Sequence, residues 1–452
     1  MATTRAQWPL SGMLLALCAA VGLLAGTAPA LAIGAAVAAG FALLVVADLT
    51  VGLCVFILVA FAERVPAAGT SDLTLVKALG ALLAVSWLGS VATRRAGERQ
   101  LFTAHPVMTA AGALLLAWMI LSIGWAEDPA LAREDVMRYA LNLSLLPIVY
   151  SAVRRREHVV AVLAVYVAGA AFSALYAIAV AGGGGSEALE RISGVAGTAN
   201  ELASLLVTAL FLAGGLWLAL RGSPILRALC VAAIGVCLIG LFLTLSRAGL
   251  VALAAALAAA VFVGGRRRRA GVAVLIVAVG LATVGYFSFA ASQQARERVT
   301  TLGSGTGRTD IWTVAWRMVD QDPLRGVGVG NFQTASIHYL LQPGAILRDE
   351  FIVDRPQVAH NSHLHVLAEL GVPGLVLFGG LVLAGLLAAW RAAGEFTRRG
   401  DVFMETCARG VVLALIALLV ADFFASDQLN KELWLLLGLG PALLGIARRE
   451  PA

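Results

Sequence analysis

Apolar residues fall along this chain in long uninterrupted runs, with neither the alternation of strands nor the one-sided stripe of soluble helices. The runs near 12 to 27, 29 to 47, 49 to 62, 72 to 92, 107 to 124, 134 to 153, 158 to 181, 198 to 220, 225 to 243, 247 to 263, 271 to 290, 364 to 390, 408 to 424 and 430 to 447 are each read as a membrane-crossing helix. The run at 49 to 62 is short, and that at 134 to 153 is interrupted by Arg138, Asn142 and Pro147. Twelve crossings is the fallback to fourteen, and losing two preserves the orientation. A polar segment, Ala291 to Ala359, separates the eleventh run from the last three. The expected fold is all-α: a polytopic helical membrane protein with N-terminal helices over 1–290, one large extracytoplasmic loop over 291–363 and C-terminal helices over 364–452, forming one integrated domain.

Composition agrees. Of 452 residues 60% are hydrophobic and 13% charged, about half the charged fraction of an ordinary soluble domain. Ala30-Leu31-Ala32 has the small residues of a leader cleavage site, but another apolar run follows at once, so the first helix is read as retained. The cysteines Cys18, Cys54, Cys230, Cys237 and Cys407 lie in or beside apolar runs, which argues against a disulfide framework.

The net charge of +6 is almost entirely arginine, and its placement sets the topology. Alternate short loops hold Arg94, Arg95 and Arg99; Arg154 to Arg156; Arg221 and Arg227; Arg266 to Arg269; Arg391, Arg398 and Arg399; and Arg448 and Arg449. Cytoplasmic loops keep positive charge, so both termini are expected inside and the 291–359 segment outside. Topology accounts for Arg266 to Arg269 without a nucleic-acid or anionic-lipid site. No internal repeat of the transporter kind is visible.

Three places on the expected outer face have chemical potential. Arg191 follows Gly182 to Gly185 in irregular chain, where a solvated arginine is the plain alternative. Arg247, in Thr244-Leu245-Ser246-Arg247-Ala248-Gly249, lies between two apolar runs with almost no loop around it; it either snorkels or meets an anion. His360-Asn361-Ser362-His363-Leu364-His365 gathers three histidines at the mouth of a helix, where imidazole suits proton transfer. A metal is disfavoured because His363 and His365 project about 200° apart on one helix. Within the loop, Thr309 to Gln321 reads as an amphipathic helix with Ile311, Trp312, Ala315, Trp316 and Val319 on its apolar stripe, and Arg308 is a further anion contact. The two tryptophans are expected to pack the loop onto the membrane surface or the bundle. Arg325-Gly-Val-Gly-Val-Gly-Asn331 is no dinucleotide fingerprint, since no strand precedes it and no helix start is expected after it. Arginines holding a membrane-anchored diphosphate, beside a histidine that deprotonates the attacking group, is the chemistry these residues suggest.

At these residues the chain resembles the O-antigen ligase and O-antigen polymerase superfamily of bacterial cell-envelope glycosyltransferases. His360-Asn361, nine residues, then Gly371-Val372-Pro373-Gly374 is similar to the family's loop motif. Arg191 ahead of Gly197 to Glu201 resembles its first essential arginine and Arg247 in Ser-Arg-x-Gly its second. Gly307-Arg308-x-x-x-Trp312 and Gly326-x-Gly328 are also similar. The resemblance covers about residues 190 to 445, and the first 150 match only in hydropathy.

It implies a GT-C-like enzyme of the bacterial inner membrane, with no metal or other cofactor, transferring a glycan with inversion from an undecaprenyl-diphosphate carrier to an acceptor hydroxyl on the extracytoplasmic face. Arg191, Arg247 and Arg308 would hold the donor diphosphate and His360 would act on the acceptor, either lipid A core or a glycan. Ligase, polymerase and protein-glycosylating relatives share these residues, and a ligase is slightly favoured. The competing class is a lipid-linked glycan transporter, with Lys77 and Asp422 as intramembrane charges. Membrane lipids are expected partners and nucleic acid is not.

Overall fold

The computed structural model describes residues 26, 29–61, 75–92, 100–183, 192–193, 197–265, 269–290, 293, 307–340, 342, 346 and 357–449. The expected first span, Arg191 and Arg266 to Arg268 lie outside the described residues. Among the described residues every regular element is helical. The helices are α1 (Pro29–Ala47), α2 (Leu49–Phe61), α3 (Leu75–Ala92), α4 (Leu101–Ala104), α5 (Pro106–Ser122), α6 (Pro129–Ala152), α7 (Arg156–Gly183), α8 (Ala199–Ala219), α9 (Pro224–Leu243), α10 (Arg247–Val263), α11 (Arg269–Gly285), α12 (Arg308–Gln321), α13 (Phe332–Ser336), α14 (Ser362–Arg398), α15 (Val402–Asp422) and α16 (Lys431–Arg449).

Each apolar run from 29 onward coincides with one of these helices. Five (α7, α8, α9, α14 and α15) are long and apolar enough to cross a membrane by length and composition. The interrupted run at 134 to 153 is a single helix that starts earlier, at Pro129, because Asp128 caps it by accepting hydrogen bonds from the Ala130 and Leu131 amides. Its polar residues are used rather than tolerated: Arg138 pairs with Glu134 and Asp135, and Asn142 donates to the Leu429 carbonyl at 2.7 Å.

Helices α8 and α15 form the centre, with 72% and 67% of their apolar windows buried, whereas α9 is only 22% buried and turns its apolar residues outward, as lipid-facing helices do. Contact between α8 and α15 depends on facing glycines. A Cβ on Gly215 would stand 3.2 Å from Gly410 Cα and 3.0 Å from the Thr406 carbonyl.

The two ends of the bundle differ. At one end, Thr50 bonds the Ala152 carbonyl at 2.9 Å and Arg156 pairs with Asp401 at 2.9 Å, among the arginine-rich connections. The other end carries the loop. There Val329 donates to Ser122 Oγ at 3.2 Å, Asp128 donates to Asn331 Oδ1 at 2.6 Å and Ser362 donates to the Ala425 carbonyl at 2.9 Å.

Helix α12 shows where the expected stripe was inaccurate. Ile311, Val314, Ala315, Met318 and Val319 are buried, but Trp316 is 52% exposed. Arg317 is buried instead, its guanidinium bonded to the Tyr339 carbonyl at 2.6 Å. A helix start does follow the glycine-rich turn, contrary to expectation: α13 begins directly after Asn331. Asn331 is fixed by paired bonds with Asp128, so Phe332 enters a turn of helix without a side-chain cap.

Candidate functional site

The site is assembled from the starts of three helices. At the first, α9 ends in a tight turn held by Thr244, whose hydroxyl donates to the Leu241 carbonyl at 2.7 Å and accepts from the Ser246 amide at 3.2 Å. Ser246 Oγ caps α10, accepting from Gly249, and donates to Asn200 Oδ1 at 2.9 Å in the first turn of α8. Gly249 permits the close crossing, since a Cβ there would lie 2.7 Å from Ala203 Cβ. In Ser-Arg-x-Gly, then, the serine caps, the glycine packs, and Arg247 is presented half-buried as the first helical residue. Next to Arg191, Ile192 is buried and donates to the Leu243 carbonyl at 3.4 Å.

At the second start, Gly307 takes a left-handed conformation (φ 63°) and Arg308 opens α12. One turn later on the same face, Trp312 Nε1 donates to the Ala359 carbonyl at 2.8 Å, and its ring meets Phe423 edge-on at 5.9 Å. Ala359 directly precedes His360, so the turn that presents Arg308 is fastened to the segment that presents the histidine.

The third start is α14. Asn361 caps it by accepting from the His363 and Leu364 amides at 3.0 Å. Ser362 locks the cap to the α15–α16 connection, donating to the Ala425 carbonyl and accepting from the Asp427 amide, each at 2.9 Å. His360 stands just outside the helix with φ 50°, its Nε2 3.4 Å from Gln357 Oε1. Among the described residues, Leu245 and His360 are the only non-glycine residues with positive φ. Each immediately precedes a helix cap at this site, where left-handed backbone costs on the order of 1–3 kcal/mol. The other two histidines of the segment have different neighbours. His363 lies against Phe378, and His365 stacks on Phe332 at 5.0 Å and bonds Glu369 at 3.1 Å.

Below these starts, α14 is broken at Gly371 (φ 66°, ψ −170°), and Pro373 withholds the amide that would bond the Glu369 carbonyl. The freed carbonyls are taken up from outside the helix. Val327 donates to Ala368 at 3.0 Å, Gly328 to Glu369 at 2.8 Å and Trp118 Nε1 to Leu370 at 2.8 Å. The Glu369 carboxylate also receives the Phe332 amide at 3.1 Å. The Gly326-x-Gly328 turn and the Gly371-x-Pro-Gly374 break are therefore complementary halves of one joint.

Electrostatics tie the three starts together. Arg308 is shifted below the usual guanidinium range, first by burial and then by the charge of Arg247. His360 is pushed down to about 4 by burial, with the Arg308 charge next and His365 after it. The structure thus brings Arg247, Arg308 and His360 into one field. Guanidinium groups at the positive ends of helices have the charge and the donors to hold an anion. With its pKa pushed down to about 4, the His360 imidazole is neutral near physiological pH.

Sequence reasoning missed Ser246 with Asn200, the Ser362 tie and the Glu369 joint. Serine or asparagine ahead of a helix is a local cap signal that could have pointed to Ser246 and Asn361, but the distant partners leave no local signal.

Residues 232–379 match the family model described as O-antigen ligase. The matched segment contains Arg247, Arg308 and His360, and it supports the resemblance to the O-antigen ligase superfamily. No curated protein matches the chain significantly. Apolar helices together with the match of residues 232–379 to an O-antigen ligase family model point to an inner-membrane protein.

Proposed function

We propose that this chain is a glycosyltransferase of the O-antigen ligase type, moving a glycan from an undecaprenyl-diphosphate carrier to an acceptor hydroxyl on the extracytoplasmic face of the membrane. The observation that carries the reading is the convergence of Arg247, Arg308 and a neutral His360 at three adjoining helix starts. Arg247 and Arg308 hold the donor diphosphate and stabilise the negative charge that grows on it as it leaves; Arg191 is proposed as a third contact. His360 takes the acceptor proton while the acceptor oxygen bonds the anomeric carbon. The bond from that carbon to the diphosphate breaks with its electron pair, so configuration inverts and undecaprenyl diphosphate is released. The proton later passes from the imidazolium to solvent.

The arginine distribution supports reading this end of the bundle as the extracytoplasmic one. An O-antigen or exopolysaccharide polymerase of the same superfamily would use the same groups with a lipid-linked glycan as acceptor.

Purified protein in lipid, given a lipid-diphosphate glycan and acceptor, is expected to release undecaprenyl diphosphate. A transporter would not. His360→Ala should abolish transfer while leaving the protein folded, and Arg247→Lys should transfer poorly because a point charge lacks the bidentate fork. Near-normal transfer by His360→Ala would remove the base assignment.

A further inference from the structure

The arrangement contains an apparent contradiction. A group meant to take a proton stands in the field of the Arg308 guanidinium, whose charge opposes the imidazolium it must become. Trp312 binds the carbonyl preceding His360, and Arg308 lies one turn away on the same face of α12. Arg247 acts on Arg308 from α10. From α14 the charge of His365, which is bonded to Glu369, bears on His360, and in its own turn Gln357 lies beside it. From the α15–α16 connection, Asp427 approaches through its amide on Ser362. Among the described residues, the charge that bears most directly on His360 is that of Arg308, a residue read as part of the donor site.

We propose that His360 becomes an effective base only when a diphosphate occupies the Arg247 and Arg308 pair, so that the protein takes its lipid-linked donor before it can activate an acceptor hydroxyl. The inference rests on the reading of that pair as the donor site. Physically, the bound diphosphate brings negative charge that offsets the guanidinium field, and the imidazolium formed by proton uptake becomes tolerable. Without donor, burial and then the Arg308 charge keep the imidazole neutral and too weak a base to draw a proton from a hydroxyl; the donor relieves the second of these. A wasteful attack by water or by a stray acceptor on an incomplete site is thereby suppressed. The glycine start of α12 and the tryptophan tie serve this coupling, because they fix the distance between the arginine that senses the donor and the histidine that responds.

The test is a titration of His360 in the full chain in lipid nanodiscs. Carbethoxylation by diethyl pyrocarbonate, which modifies neutral imidazole, is followed peptide by peptide by mass spectrometry as a function of pH. His338, an exposed loop histidine paired with Glu127, serves as the internal control. Undecaprenyl diphosphate is expected to raise the His360 midpoint by about one to two pH units, the range for a nearby charge change, while His338 stays put. Shielding by the ligand would lower the plateau without moving the midpoint. Arg308→Gln should show a raised midpoint with no ligand, and Arg308→Lys, which keeps the charge, should stay low. Binding of undecaprenyl diphosphate, measured by calorimetry, with an unmoved His360 midpoint overturns the inference and leaves the donor site standing. No binding at all removes the donor-site reading and this inference with it.

Discussion

Gly326→Ala addresses the joint beneath the site. Gly326 has φ 65°, where an L side chain costs roughly 1–2 kcal/mol. An added Cβ would also stand 2.5 Å from the Ala368 carbonyl oxygen and 2.5 Å from the Glu369 carbonyl carbon. Both are backbone atoms with no rotamer to yield, so the turn must retreat. Retreat gives up the Val327 to Ala368 and Gly328 to Glu369 hydrogen bonds, about 0.5–1.5 kcal/mol each, with a further desolvation cost for carbonyls left unmet. The sum is about 3–5 kcal/mol. Gly400 supplies the internal reference, because it has φ 69° and nothing within 4 Å of a built Cβ. Gly400→Ala should therefore cost only the backbone share, about 1–2 kcal/mol. Thermal unfolding of the two variants and the parent in one detergent, at one scan rate, ranks them, and glycan transfer is measured in parallel. Gly326→Ala should melt well below Gly400→Ala and lose transfer, because α12 and α13 lose their seat on α14. Equal melting temperatures for the two variants would refute the joint.

Two other substitutions follow from the same contacts. Ser246→Ala removes the α10 cap and the donor to Asn200, about 2 kcal/mol in all, and should raise the donor KM severalfold with Ser246→Thr restoring it; an unchanged KM would detach Arg247 from its cap. As for pH, the unfolded His360 imidazole protonates near 6.5 and the folded one only near 4, so the unfolded state binds more protons between those values and stability should fall as pH drops from about 6.5 to 4. His360→Asn should flatten that part of the pH dependence of the melting temperature; an equally steep curve would show that other groups dominate it.

The helical segments were legible in the sequence because membrane helices are specified locally: twenty apolar residues satisfy their own backbone bonds wherever the rest of the chain lies. The residues Arg247, Arg308 and His360 were legible as well, because each stands in a short local motif. Trp316 and Arg317 show where local pattern misleads. A stripe read at helical spacing groups Trp316 with the residues that pack, for which the membrane surface and the bundle were the two alternatives; the carbonyls of Tyr339 and Leu340 hold Arg317 inward, and the indole is exposed rather than packed on the bundle. Short α13 was missed because an asparagine bonded to Asp128, distant in sequence, supports its start.

Sequence by itself determined which stretches are helical, where the arginines gather and which residues have the means to hold an anion or move a proton. Tertiary structure alone decided that α10 begins against the first turn of α8 and α12 against the segment that opens α14, that a glycine turn fills the break in α14, and that Arg308 acts on His360. The physical reason is range. Hydropathy and capping act within a turn or two of helix, whereas a shared electrostatic field exists only once packing of α8 against α15, and of the loop against α14, has brought distant charges together.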